Sequence, residues 1–422
     1  MRLILYSWQA NNEQVLADNL IKLGFEVVWF RKECIHYTRD MELAMEMIQY
    51  IHAQAAEAVI SFNYFPIISM ICRTCGIPYY AWVYDCPHFT LYAKQINDAC
   101  NHIGIFDREM VRQLEGYGVQ TAYHVPLAAD SGYFEDVIAR ASRVEREKYR
   151  CDVSFVGSLY TDEYNYYELL LSGGNSVSKA DGTSQTEWKS SINRTGLEDR
   201  TETAIIQQCF SYEEDYLRHA VESGGIDMTR IQGVMEQQGM MLGEDYFAKP
   251  EDILLAAVLE KKVTVEERRL LLTALEAVAA GPSADVLKDF RLYTGSATKG
   301  LPTLDACNHG TVDYHTQMPL VFAGSRINLN ISLRSIHSGI PLRVLDIMAC
   351  GGFVLSNRQP EIAEYFEEGV ELVTFGSMEE CIDKVQYYLS HEEERRQIAE
   401  AGYRKVKSEF SYESGLARLF EV

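Results

Sequence analysis

Short apolar runs separated by amphipathic stretches set the pattern of the first third of the chain. RLILYSW is apolar enough for a buried strand. EQVLADNLIKLG repeats its apolar positions at helical spacing, with Asn11 or Asn12 placed to cap it and Gly24 to end it. FEVVWF, EAVISFN, IPYYAWVYD, HIGIFD and VQTAYHVPLA supply further strands. Helices are expected over about 41–57 and 110–116, and the apolar stretch FPIISMICRTCG precedes IPYYAWVYD. Apolar strands alternating with amphipathic helices predict a parallel sheet covered on both faces, a Rossmann-like domain over 1–138. A charged stretch, 139–150, reads as a linker.

CDVSFVGSLY opens a second α/β domain over 151–422, and this one is interrupted. SGGNSVSKADGTSQTEWKSSINRTG is polar and rich in glycine and serine, the composition of a loop. From 198 to 287 the periodicity is helical, as in YEEDYLRHAVES and EERRLLLTALEAVAAG, without a convincing strand. The expectation is a mostly helical insertion at about 172–287. Strands return at DFRLYTG, RINLNIS, GGFVLSN and VELVTFG. The fold class is α/β, two Rossmann-like doubly wound domains facing a cleft.

Composition narrows the possibilities. A chain of 422 residues exceeds one ordinary core, and 47% hydrophobic with 24% charged residues is a globular balance. No apolar run reaches the roughly 18–20 residues of a membrane span. The start MRLILYSW reads as a strand rather than a secretory signal, so the cytoplasm is the expected location. Ten cysteines scattered through apolar segments fit reduced core thiols there. Cys72 and Cys75 form a lone Cys-x-x-Cys without a second ligand pair, so no metal site is expected. A net charge of −22 argues against nucleic-acid binding. It leaves room for a small anion held by a helix N-terminus and a few arginines.

The stretch with the densest chemistry is SRINLNISLRSIHSGIPLRVLDIMACGGFVLSNRQPEIAE, residues 325–364. A strand ending near Asn330 delivers the chain to a loop, and a helix begins near Pro341 with Ser338 or Gly339 as its cap. Free N–H groups of the loop and first turn (His337, Ser338, Gly339, Ile340, Pro341 and Leu342 lie along it) form an anion site. Arg343 and Asp346, three apart, share a face, and Gly351–Gly352 ends the helix. The layout suits a diphosphate on the first turn and Arg343, with a ribose diol on Asp346 one turn deeper. The plain alternative is a surface i,i+3 ion pair worth a few tenths of a kcal/mol. Tyr314 and Asn330 are candidate base or ribose neighbours. In the first domain Asp85 and His88 follow IPYYAWVYD at the carboxyl edge of the sheet, where ligands bind; a turn cap before Pro87 is the alternative for Asp85. Asn63 and Tyr64 occupy a similar edge.

SGIPLRVLDIMACGG resembles the donor-binding helix of the retaining GT-B glycosyltransferases, which carry Glu-x7-Glu followed by A-M-A-C-G at this place. On that motif the first glutamate position is Ser338 and the second Asp346. Together with WVYDCP, HVPLA and NLNISLRSIHSGIPLRVLDIMACGGFVLSN, the chain is more closely similar to the CgeB-like spore-maturation glycosyltransferases. The resemblance covers both α/β domains but not the insertion. It implies a nucleotide-sugar donor in the second domain, an acceptor of unknown nature in the first, retention of configuration, and neither cofactor nor metal. It also implies roles near the sugars for Asp85 and His88. Two departures stand out. Ser338 lacks the motif's first carboxylate, and VGSLYTDEYNYY offers Gly157 and Ser158 without the cations usual after this strand. Neutralising a diphosphate then falls to Arg343, Arg334 or His337.

Other signatures are missing. No G-x-G-x-x-G follows the first strand, and no Asp-x-Asp lies near the donor segment. The departures keep a second reading open, an inactive scaffold or glycan-binding protein of the spore or cell surface. A third is a nucleotide-sugar epimerase, which would alter the free nucleotide-sugar with no acceptor present.

Overall fold

The computed structural model describes residues 1–161, 196–212, 215–223, 243–281, 286–298 and 301–421. The first sheet holds β1 (Arg2–Ser7), β2 (Glu26–Arg31), β3 (Ala58–Phe62), β4 (Tyr79–Val83), β5 (Asn101–Ile105) and β6 (Ala122–His124), all parallel in the order β2-β1-β3-β4-β5-β6. The second holds β7 (Cys151–Val156), β8 (Phe290–Tyr293), β9 (Ser325–Asn330), β10 (Val354–Asn357) and β11 (Val373–Phe375), parallel in the order β11-β10-β9-β7-β8. Strands such as AVISF are buried along their whole length, as both-faced cover requires. The expected two-domain, doubly wound α/β architecture is present. The apolar stretch before β4 is a helix, Pro66–Cys75, started by its proline.

Each order reverses direction once, between β1 and β3 in the first sheet and between β7 and β9 in the second. At such a switch the flanking connections leave on opposite faces and open a crevice at the carboxyl ends. Those two crevices organise the site.

Three features depart from the sequence pattern. The stretch 139–150 carries the end of one helix, Ser131–Arg140, and a second, Arg143–Lys148, because Ser142 and Glu145 form a reciprocal capping box. The described parts of the insertion are helical, whereas the glycine- and serine-rich loop expected before them lies outside the described residues except for Gly196. Its last helix, Glu260–Ala280, sends Leu271, Leu272 and Leu275 into the core under the second sheet, against Leu292, Ile327 and Leu329. That helix is the crossover from β7 to β8, not an appendage. Finally, the helix Tyr412–Phe420 follows the second sheet in sequence but packs on the first. Gly415 sits where a Cβ would run into the Trp82 indole, so only glycine allows the approach.

Candidate active site

A cavity of about 910 Å³ opens between the helix after β5 (Arg108–Gly116), the loops after β9 and β10, and helical segments around 208–218 and 249–260. Arg112, Arg218, Lys249, Arg334, His337 and Arg358 line it, opposed by four carboxylates. In a chain of net charge −22 this is a local excess of positive charge, which a cleft focuses on an anionic ligand. Arg334 is fixed: Nε donates to both Glu267 carboxylate oxygens at 3.0 and 3.1 Å, and Nη2 donates to the Gln208 carbonyl at 3.0 Å. The Tyr212 ring lies 4.0 Å from its guanidinium carbon. His337 Nε2 lies 2.8 Å from Glu260 Oε1, and that charge pushes the imidazole up to about 9, so it is a cation at neutral pH. Arg112 and Arg358 are exposed and held in surface ion pairs with Glu109 and Glu380, weak enough for both to turn towards a ligand.

The loop expected to bind phosphate already has a carboxylate on it. Asp107, at the end of β5, is buried and caps the helix Arg108–Gly116 by accepting from the amides of Glu109 and Met110. Its other oxygen accepts from the amides of His337 at 2.7 Å and Ser338 at 3.2 Å. Ser338 Oγ lies 2.9 Å from Asp107 and 2.7 Å from Glu361, which also accepts from the Arg108 amide and pairs with His124. The helix therefore begins at Leu342 with Pro341 as its N-cap, not Ser338 or Gly339, because the serine hydroxyl is turned to the interdomain carboxylates. A Cβ on Gly339 would lie 2.8 Å from the Phe106 carbonyl. This glycine lets the two backbones meet. Ile340 and Pro341 are buried and Leu342 half-buried.

Asp346 is not a surface residue. It is 1% exposed; Tyr314 Oη donates to it at 3.0 Å, and Asn12 of the first domain donates to Tyr314 at 3.2 Å. Arg343 stands 3.8 Å away and also contacts Met318. In this closed arrangement the carboxylate and the tyrosine face each other rather than an open crevice. Burial pushes the Asp346 carboxyl up to about 6, against the opposing pull of Arg343. A raised carboxyl stabilises the fold while protonated, and that contribution is lost as pH rises from about 4 through about 6. Asp346→Asn is therefore expected to be more stable than wild type at about pH 8, by about 3 kcal/mol, and equal to it at about pH 4. Urea unfolding at the two pH values decides; parallel pH profiles would exclude the buried charge as the cause.

Gly157 and Ser158 follow β7 at the second sheet's reversal. The cation missing from the sequence there comes from the crossover helix. Arg268 is buried, with Nη1 donating to the Ser158 carbonyl and Nη2 to the Ile331 carbonyl, so it bridges the ends of β7 and β9. Asn330 is inside the sheet, donating to Ser332 and Ser356 hydroxyls, and does not face the cleft. Arg268 and Glu267 had a legible signal: Glu260, Glu267 and Arg268 interrupt the apolar stripe that continues through Leu271, Leu272 and Leu275. Asp107 and Glu361, acids beside strand ends, carried no comparable signal.

The first sheet's reversal holds a second cavity of about 600 Å³, lined by Ser7, Trp8, Asn63, Asp85 and His88 among others. Asn63 has φ +60°, a left-handed backbone that asparagine adopts more readily than most residues, and donates to Asp85 Oδ2 at 2.6 Å while accepting from the amides of Tyr84 and Asp85. His88 Nε2 is turned to the Tyr64 backbone and Thr90, and burial lowers its imidazole from the ordinary value. Asp85 and His88 thus share one cavity, apart from the cation-lined cleft. Burial raises the thiols of Cys72 and Cys75, which lie on the helix Pro66–Cys75 as core and half-buried residues.

Residues 268–421 match the family model of glycosyl transferase-like proteins. A search of curated proteins finds no match. Among solved structures the chain is similar to a glycosyltransferase from Rickettsia africae, at 12% identity and a TM-score of 0.54, covering 100% of this chain and 97% of that one. It is similar to sucrose-phosphate synthase from Thermosynechococcus elongatus, at 10% identity and 0.54, covering 99% and 97%. It is also similar to HepE of Anabaena in complex with UDP-glucose, at 9% identity and 0.52, covering 100% and 98%. The likeness is one of fold: two facing α/β domains in the GT-B arrangement. No helix among the described residues is long and apolar enough to cross a membrane.

Proposed function

We propose that this chain is a glycosyltransferase that takes a nucleotide-sugar donor into the cleft at the carboxyl edge of the second sheet. The observation that carries the reading is the concentration of cations there. Arg334, His337, Arg112 and Arg358 face a cavity large enough for a nucleotide-sugar, in a chain that is otherwise strongly acidic. The family match over 268–421 and the GT-B fold support it. On this reading the donor diphosphate meets Arg334, His337 and the two exposed arginines, whose charge stabilises it as it leaves the sugar carbon. Arg268 holds the ends of β7 and β9 in register beneath it. The acceptor enters from the first domain's cavity, where Asp85 and His88 orient it. Asp346 receives the ribose once the Asn12–Tyr314 contact parts.

The finer reading keeps retention of configuration without a required metal, in a cytoplasmic protein of the CgeB-like group. The phrases WVYDCP and HVPLA and ten free cysteines support that placement.

Melting temperature against a panel of nucleoside diphosphates and their sugars tests the proposal, uridine derivatives first because the Anabaena protein was solved with UDP-glucose. The expected result is a selective upward shift. Arg112→Ala with Arg358→Ala should weaken the responding ligand at least about tenfold without moving the ligand-free melting temperature. No response to any donor would overturn the reading. A second reading, binding without turnover, draws on Asp107 seated at the His337 and Ser338 amides. Release of free sugar or transfer to any acceptor by the bound complex would exclude it.

A further inference from the structure

On the far side of the second domain a groove of about 1020 Å³ runs between the helices Arg143–Lys148 and Glu392–Glu409, across the amino ends of β9 and β10. It lies one strand length, about 20 Å, from the carboxyl-edge cleft. Seven arginines and four glutamates line it, with no lysine and no aspartate. Three of the arginines, Arg143, Arg146 and Arg396, are exposed and make no ion pair with a described residue. A fourth, Arg395, is only 8% exposed; Nη1 donates to the Arg326 carbonyl at 2.7 Å, while Nε is buried and meets no acceptor among the described residues. Burial, followed by the charge of Arg326, lowers the Arg395 guanidinium from its ordinary value, against the opposing pull of Glu392.

Like charges gathered at one groove repel one another, and an unmet buried N–H adds a desolvation cost. A multivalent anion would relieve both. Planar guanidinium groups without any lysine favour acceptors that take two parallel N–H bonds, which are phosphate or carboxylate oxygens. A polyvalent phosphate satisfies several arginines at once, where a single carboxylate reaches one.

We propose that this groove binds a phosphate-bearing anion at a site separate from the donor cleft. The phosphate can be soluble or carried by a lipid headgroup, and the test separates the two. Titration calorimetry with inorganic tripolyphosphate, and co-sedimentation with phosphatidylcholine vesicles with and without phosphatidic acid, are run on the full chain. Wild type is compared with Arg143→Ala/Arg146→Ala/Arg396→Ala, whose exposed positions leave the fold intact, and with the cleft variant Arg112→Ala/Arg358→Ala. Salt-sensitive binding that the groove variant loses by at least about tenfold, and the cleft variant keeps, supports the site. Loss confined to tripolyphosphate identifies a soluble ligand, and loss of vesicle binding a lipid headgroup. Neither probe binding wild type, or the cleft variant losing what the groove variant keeps, overturns it.

Discussion

Truncating Glu267 to alanine is expected to cost about 3–5 kcal/mol of unfolding free energy, because it leaves a buried guanidinium without its counter-charge. Glu267 is 1% exposed and accepts from Arg334 Nε and from the Phe210 amide at 2.6 Å. Alanine would leave both donors without this acceptor and the guanidinium, only 11% exposed, without its counter-charge. The same change should weaken nucleoside-diphosphate binding, since Arg334 owes its direction to this carboxylate. Removing both partners, as Glu267→Ala with Arg334→Met, should recover much of the stability and none of the binding. Urea unfolding of the two singles and the double completes the cycle. A cost below about 1 kcal/mol for Glu267→Ala would show that the cluster relaxes around the loss.

Asp107→Ala should move stability and affinity in opposite directions. The carboxylate caps one helix and ties two domains through the His337 and Ser338 amides. Its loss should cost about 2–4 kcal/mol, combining a lost cap with unmet buried donors. Those amides are also the donors a diphosphate would use. A protein whose competent form is only partly populated binds more weakly by that fraction, so freeing the loop should tighten nucleoside-diphosphate binding even as the fold weakens. Calorimetry below the melting transition reads this directly. Weaker binding in the variant would mean that Asp107 shapes the site rather than occupies it.

The strands, the parallel architecture and the Gly351–Gly352 turn are legible in the chain because each is written in local pattern: buried runs, helical spacing, a glycine pair. The chemistry of the cleft is less so. Arg334 and His337 follow from their loop, but their partners Glu267 and Glu260 lie far off in sequence, in a helix whose charged positions look solvent-facing until its stripe is counted. Asp346 shows the opposite failure. Its spacing from Arg343 is right, and the pair exists at 3.8 Å, yet burial behind Tyr314 depends on Asn12 from the other domain, which no local pattern encodes. The helix cap fails for the same reason, because the Ser338 hydroxyl answers to acids that only the fold brings near.

The return of the helix Tyr412–Phe420 to the first sheet bears on how the molecule is made. Trp82 of β4 packs edge-on against Tyr412, and Leu416 and Leu419 complete the same apolar cluster. During synthesis β4 and the helix Glu13–Lys22, whose Leu16, Ala17 and Leu20 share this cluster, emerge before the second domain, and the Tyr412–Phe420 part of the cover emerges after it, so Trp82 waits partly uncovered while the second domain is translated. Domains generally fold as units from the N-terminal end, and exposed apolar surface on a waiting unit is a substrate for chaperones and a seed for aggregation. The first domain therefore leaves the ribosome before the second and is finished only after it, so its completion reports that the second domain has been threaded into place.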